Sequence, residues 1–175
     1  MTFARIRALI FVAVLFVTAG VVVVMAMLRD SQIGPIQTSR CPAGAIPANI
    51  KPPDRRSEVK INVYNGTPAV GLATKVGNDF KNREFVVGKM ENAPGNKIYD
   101  EVAIIRYGPK AVGAGWYLRA YFLDEAITDF DIKRKDDEVD IIIGTQFQQL
   151  ATTTEVNQSI AAIGEPILPP GTCEA

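Results

Sequence analysis

Between Ala8 and Leu28 the chain carries no charge and almost no polar group, with Arg5 and Arg7 ahead of the run and Arg29-Asp30 behind it. A helix of that length rises roughly 31 Å at ~1.5 Å per residue, which matches the hydrocarbon thickness of a bilayer. The sequence therefore predicts a transmembrane helix at 8–28, a cytoplasmic tail at 1–7 and a body held on one side of the membrane. The alternative is a cleaved signal peptide. Such peptides have an apolar stretch of about 7–15 residues ahead of a small-residue cleavage site. Here the only comparable triplet, Val24-Met25-Ala26, lies inside the run, so an uncleaved single-pass anchor is expected.

Charge flanking the run says little about orientation, because Arg5 and Arg7 on one side face Arg29 and Arg40 on the other. The cysteines say more. Cys41 and Cys173 bracket the region where a folded domain must lie. An even count at the two edges of a domain in an exported chain suggests one disulfide, the alternative being two unrelated thiols. A disulfide needs an oxidising compartment, so the body is expected to be extracytoplasmic and the N-terminus cytoplasmic.

Basic and acidic residues balance at 19 each. That excludes the broad basic surface on which nucleic-acid binding depends. Residues 29–57 include Pro35, Pro42, Pro47, Pro52 and Pro53 with little apolar patterning, the composition of a semi-rigid stalk. Ordered patterning begins near 58. Val59, Ile61 and Val63 alternate with polar neighbours as in a half-buried strand. Asn65-Gly66 ends that strand, Thr67 and Pro68 suit a helix start, and Ala69, Leu72, Ala73, Val76 and Phe80 share one helical face. Phe85-Val86-Val87 reads as a second strand and Val102–Ile105 as a third. A second helix is predicted over 110–126, an edge strand at 130–132 and a last strand at 139–143. The tail, 148–175, carries a short helix near 155–163 and then a proline-rich return toward Cys173.

Two strand–helix–strand units sharing one sheet predict an α/β fold: a two-layer domain over 58–147 with a mixed four- to five-stranded sheet and two helices on one face.

The chain contains no histidine, which removes the commonest general base, the commonest zinc ligand and every histidine-dependent triad. Its serines, Ser31, Ser39, Ser57 and Ser159, all lie outside 58–147. No catalytic residue, metal ligand or cofactor is therefore assigned, and the chain is not read as an enzyme. Paired carboxylates alone can hydrolyse glycosides, and Asp124 to Asp140 is rich in acids around Lys133-Arg134-Lys135. That run is read instead as a solvated charged turn between two strands, and it lacks the glycine and spacing of a calcium-binding hand. Gly113-Ala114-Gly115 lies within a helical pattern without the third glycine of a dinucleotide fingerprint, and is read as close helix–sheet packing. Two places remain as candidate sites: an anion site on backbone amides of Gly66, Thr67 and Ala69 at the first helix start, and an aromatic contact surface made by Trp116, Tyr117 and Tyr121.

The segment Val63-Tyr64-Asn65-Gly66-Thr67, followed by Val70-Gly71-Leu72-Ala73, by Phe85-Val86-Val87, by a strand ending in Tyr107-Gly108 and by Ile141-Ile142-Ile143-Gly144, resembles the LytR C-terminal domain family over residues 58–147. An anchor, a stalk and one such domain together resemble the small actinobacterial envelope integrity proteins. The resemblance implies a role in keeping the cell envelope intact, with the membrane as one partner and a cell-wall polymer, a glycolipid or an envelope-biogenesis protein as another. It carries over no catalytic residue, since the shared positions are structural. The expected function is a non-catalytic, membrane-anchored domain that binds an envelope component; the alternative is an adaptor or regulator of an envelope-building enzyme in the same membrane.

Overall fold

The computed structural model describes residues 13, 15–21 and 41–175. Residues 1–40 and 41–175 are two separate units. In the first, residues 15–21 are helical and expose Leu15, Phe16, Val17 and Val21. Among the described residues no helix is long and apolar enough to cross a membrane. Most of the expected crossing at 8–28, the tail at 1–7 and the stalk residues 29–40 lie outside the described residues.

The second unit is built on a five-stranded mixed sheet. Its strands are β2 (Lys60–Asn65), β3 (Val86–Asn92), β4 (Ala103–Tyr107), β5 (Ile127–Phe130) and β6 (Glu138–Ile143), in the spatial order β3-β2-β6-β4-β5. β2 runs parallel to both β3 and β6, and β4 runs parallel to β5 but antiparallel to β6. The two strand–helix–strand units thus meet through β6. Period-two alternation puts Ile61, Val63, Ala103, Ile105, Val139, Ile141 and Ile143 on one face, all at or below 1% exposure. Helices α1 (Leu72–Asn82) and α2 (Val112–Arg119) cover that face through Val76, Phe80 and Leu118. The five-stranded sheet with both helices on one face is the expected α/β architecture.

Three local features depart from the sequence reading. α1 begins at Leu72 rather than after Thr67, because Gly71 adopts a left-handed φ of 77° and ends a separate turn over 65–71. The second helix is interrupted: a 3-10 turn at Pro109–Ala111 precedes α2, another at Ala120–Phe122 follows it, and Leu123 and Asp124 then take φ of 53° and 66°. Those two left-handed residues stop the helix short of 126 and bring the chain into β5 earlier than 130.

The strand at 139–143 is not the last. β7 (Thr172–Glu174) pairs in parallel with β1 (Ile46–Ala48), forming a second, two-stranded sheet. Cys41 and Cys173 are disulfide-bonded with their Cα atoms 5.5 Å apart. Residues 41–57, expected in the stalk, are accordingly part of this unit. Ala48 is fully buried, Asn49 N donates to Pro109 O, and Gly113 N donates to Asn49 O. A Cβ on Gly113 would lie 2.0 Å from Lys51 O, so glycine is what lets this extended segment lie against α2. Helix α3 (Thr153–Ile163) starts with a capping box between Thr152 and Glu155 and buries Val156.

Candidate functional site

The second face of the sheet carries a polar row instead of a helix layer. Strand register puts Asn62, Asp140, Arg106 and Asp129 side by side across β2, β6, β4 and β5. A bulge in β3 sets Gly88 and Lys89 opposite Asn62. Asn62 is only 5% exposed, yet all its polar atoms are used: Oδ1 accepts from Lys89 N at 3.0 Å, and Nδ2 donates to Glu138 at 2.8 Å and Asp140 at 2.9 Å. Arg106 donates to Asp129 at 2.8 Å. Beside this row Lys60 bonds Asp137 at 2.8 Å, which holds that carboxyl below the usual carboxylate range and raises the ammonium. The acid-rich run from 124 to 140 thus contributes to ion pairs and hydrogen bonds, with Asp124 on Arg119 and Asp136 on Arg134. Among the described residues no cluster of three or more acids or cysteines has metal-binding geometry.

Arg134 organises the turn between β5 and β6. Its side chain is 12% exposed and donates to Asp136 at 2.7 Å and Asp140 at 2.8 Å. Asp131 Oδ1 accepts from Lys133 N, Asp131 O accepts from Arg134 N, and Asp131 N donates to Tyr107 O. Gly108 passes beneath this turn so closely that a Cβ there would lie 2.7 Å from Arg134 Cβ. With Arg134 drawn inward, its neighbours Lys133 and Lys135 stand exposed on the outside. They rim an open groove of about 500 Å³ with Lys110 and Arg134, over a floor of Ile46, Pro47, Pro109 and Ile132.

The candidate sites read from sequence fare differently. Gly66, Thr67 and Ala69 do come together, but their amides have internal acceptors: Gly66 N donates to Ile143 O, Thr67 N to Asn65 Oδ1, and Ala69 N to Thr67 Oγ1. An anion would have to displace these bonds, so the amide site is withdrawn. Thr67 serves this turn and does not cap α1. Tyr121 is a core residue at 2% exposure, its ring 5.1 Å edge-on from Phe85 and 5.7 Å from Phe80. The aromatic surface therefore reduces to Trp116 and Tyr117, both half-buried. Tyr117 lines a polar cleft with Arg56 and Glu84. The Trp116 indole N–H is buried without an acceptor among the described residues. The cationic groove was not foreseen; the Lys-Arg-Lys triplet was its one visible trace.

A family model described as LytR cell envelope-related transcriptional attenuator matches residues 58–147 of the 175. The chain belongs to this family. The match runs from just before β2 to just after β6, so it takes in the five-stranded sheet, α1 and α2, while β1, α3 and β7 lie outside it. Among solved structures, the soluble domain of a conserved hypothetical secreted protein from Mycobacterium marinum superposes with a TM-score of 0.51 at 23% identity. The superposition covers 70% of this chain and 82% of that one, and it supports the fold alone. No curated protein matches the chain in sequence.

Proposed function

We propose that this chain is a membrane-anchored, extracytoplasmic, non-catalytic domain that supports cell envelope integrity or assembly by binding an envelope component. The observation that carries the reading is the Cys41–Cys173 bond, which joins the two ends of the folded unit across a sequence separation of 132 residues. Such a bond persists in oxidising compartments outside the cytoplasm. The family's printed description ties it to the cell envelope. The apolar run at 8–28 supplies the anchor. A binding role fits the chemistry, since Asp124, Asp129, Asp136, Asp137 and Asp140 all face basic partners.

The alternative, an adaptor for an envelope-building enzyme, draws on β3. Its seven residues form an edge of the sheet, with Val86 47% exposed, and an open strand edge can pair with a strand of a partner protein.

Oxidised protein incubated with isolated cell-wall polymer and with envelope glycolipid tests the reading. Retention on either fraction supports the binding module. Recovery of one stoichiometric protein from crosslinked membranes, without retention on polymer or lipid, supports the adaptor. Failure of both rejects the reading.

A further inference from the structure

The groove under the β5–β6 turn combines two demands that few ligands meet together. Its floor is apolar: Ile46 is 39% exposed there, and Pro47 and the half-buried Ile132 continue the surface. Its rim is cationic, and no acid lines it. Arg134 is already paired with Asp136 and Asp140, whereas Lys110, Lys133 and Lys135 have no carboxylate within 4 Å among the described residues. Lys133 and Lys135 stand on a turn whose backbone is bonded through Asp131 to Tyr107, and Lys110 sits in the 3-10 turn Pro109–Ala111, closed by Ala111 N donating to Gly108 O, so the backbone positions of all three are set by hydrogen-bonded turns. An anionic polysaccharide would satisfy the lysines and leave the floor wet. A neutral acyl chain would cover the floor and leave the lysines unmatched.

We infer that this groove binds an anionic phospholipid at the membrane surface, the acyl region against Ile46 and Ile132 and the phosphate among Lys110, Lys133 and Lys135. Chain length is compatible with that occupant. Ile46 follows Cys41 closely in sequence, and residues 29–40, fully extended at ~3.5 Å each, reach about 40 Å from the expected anchor. A lysine near an anionic membrane strengthens attachment about fivefold, so three act together on the order of a hundredfold. The proposal deepens the envelope-binding reading by naming a ligand class for one surface.

The test uses the full chain reconstituted in nanodiscs of phosphatidylcholine alone or with about a third phosphatidylglycerol, read by amide hydrogen exchange. Slower exchange over 131–135 in the anionic discs is expected, fivefold or more, with α1 unchanged as an internal reference. Lys133→Gln with Lys135→Gln, both at exposed positions, is expected to abolish the slowing while leaving the melting temperature unaltered. High salt is expected to do the same by screening. Equal exchange in the two discs overturns the proposal. So does slowing that follows protein concentration instead of lipid charge, which would assign the groove to a second copy. Retention on cell-wall polymer without lipid-dependent protection would remove this inference and leave the broader function standing.

Discussion

Asn62 on β2 holds Asp140 on β6 through an amide hydrogen bond of 2.9 Å, and the same Nδ2 also donates to Glu138. One buried amide therefore links two carboxylates on the neighbouring strand while its oxygen takes the bulged amide of Lys89. Asn62→Asp would put a third carboxylate in that position and remove both donations. A loss of about 2–4 kcal/mol is expected at neutral pH. The crowded new carboxyl would have a folded-state pKa above its unfolded value, so the folded state would bind the extra proton and stability would fall as pH rises. The penalty should be full at pH 7 and shrink as pH drops toward 4. Melting curves of both proteins at pH 7 and pH 5 decide this; an unchanged difference would reject it.

Gly113→Ala tests the placement of residues 41–57 on the domain. The added methyl would sit 2.0 Å from Lys51 O and 2.8 Å from Ile50 O, both backbone atoms that cannot rotate away. Overpacking of this kind costs typically about 1–3 kcal/mol. Limited proteolysis should show faster cleavage near Lys51 in the variant. Unchanged cleavage and melting would mean that this segment does not lie against α2 in solution.

The strand–helix–strand order was legible because buried strands such as Val59–Val63 and Val139–Ile143 leave a plain apolar pattern in the sequence. Helix starts were less so. Thr67 and Pro68 have the right identities for a cap and a first turn, but the Asn65 side chain bonds Thr67 N, Thr67 Oγ1 and Ala69 O and holds the chain in a turn until Gly71. Helical spacing put Tyr121 beside Tyr117, and the two hydroxyls do approach to 3.3 Å. Spacing could not say that Phe80 and Phe85, from other elements, would cover Tyr121. The groove was hidden for a similar reason: it is assembled from residues 46–47, 109–110 and 132–135, which no local pattern connects.

The disulfide gives a direct test of stability and compartment. In the chain-entropy model a loop closed across 132 residues gains about 5 kcal/mol. Cys41→Ser with Cys173→Ser should lower the melting temperature in non-reducing buffer, and a reductant should bring the wild type to the same value. Mass spectrometry after alkylation should find no free thiol in protein isolated from intact cells. Two free thiols there would remove the argument for an extracytoplasmic body.

Thr152→Ala separates the true cap from the expected one. Thr152 N donates to Glu155 Oε2 at 2.7 Å, and Glu155 N donates back to Thr152 Oγ1 at 3.4 Å. Loss of the threonine side chain should cost about 1 kcal/mol. Hydrogen exchange should accelerate first in α3, whose Val156 is buried beside the aromatic core. Uniform acceleration across the sheet would argue that α3 unfolds only with the whole domain.

Alkaline titration probes the core directly. Burial pushes the Tyr121 phenol well above its ordinary value, and the hydrogen bond with Tyr117 adds to the shift. Burial also raises Tyr107 and Tyr64. Each phenol ionises near pH 10 in the unfolded chain and later in the folded one, so between those values the folded state holds more protons. The contribution of these phenols to stability is therefore flat well below pH 10 and falls as pH rises beyond it. Tyr121 alone should account for about 1 kcal/mol by pH 11, since full coupling of one proton gives ~1.4 kcal/mol per pH unit. Tyr121→Phe keeps the ring packed on Phe80 and Phe85 and removes the ionisable group. Its melting temperature should decline less steeply than that of the wild type between pH 9 and pH 11, while Tyr107 and Tyr64 preserve a residual slope. Parallel declines would mean that the Tyr121 hydroxyl reaches solvent and that the aromatic centre between α1 and α2 is open.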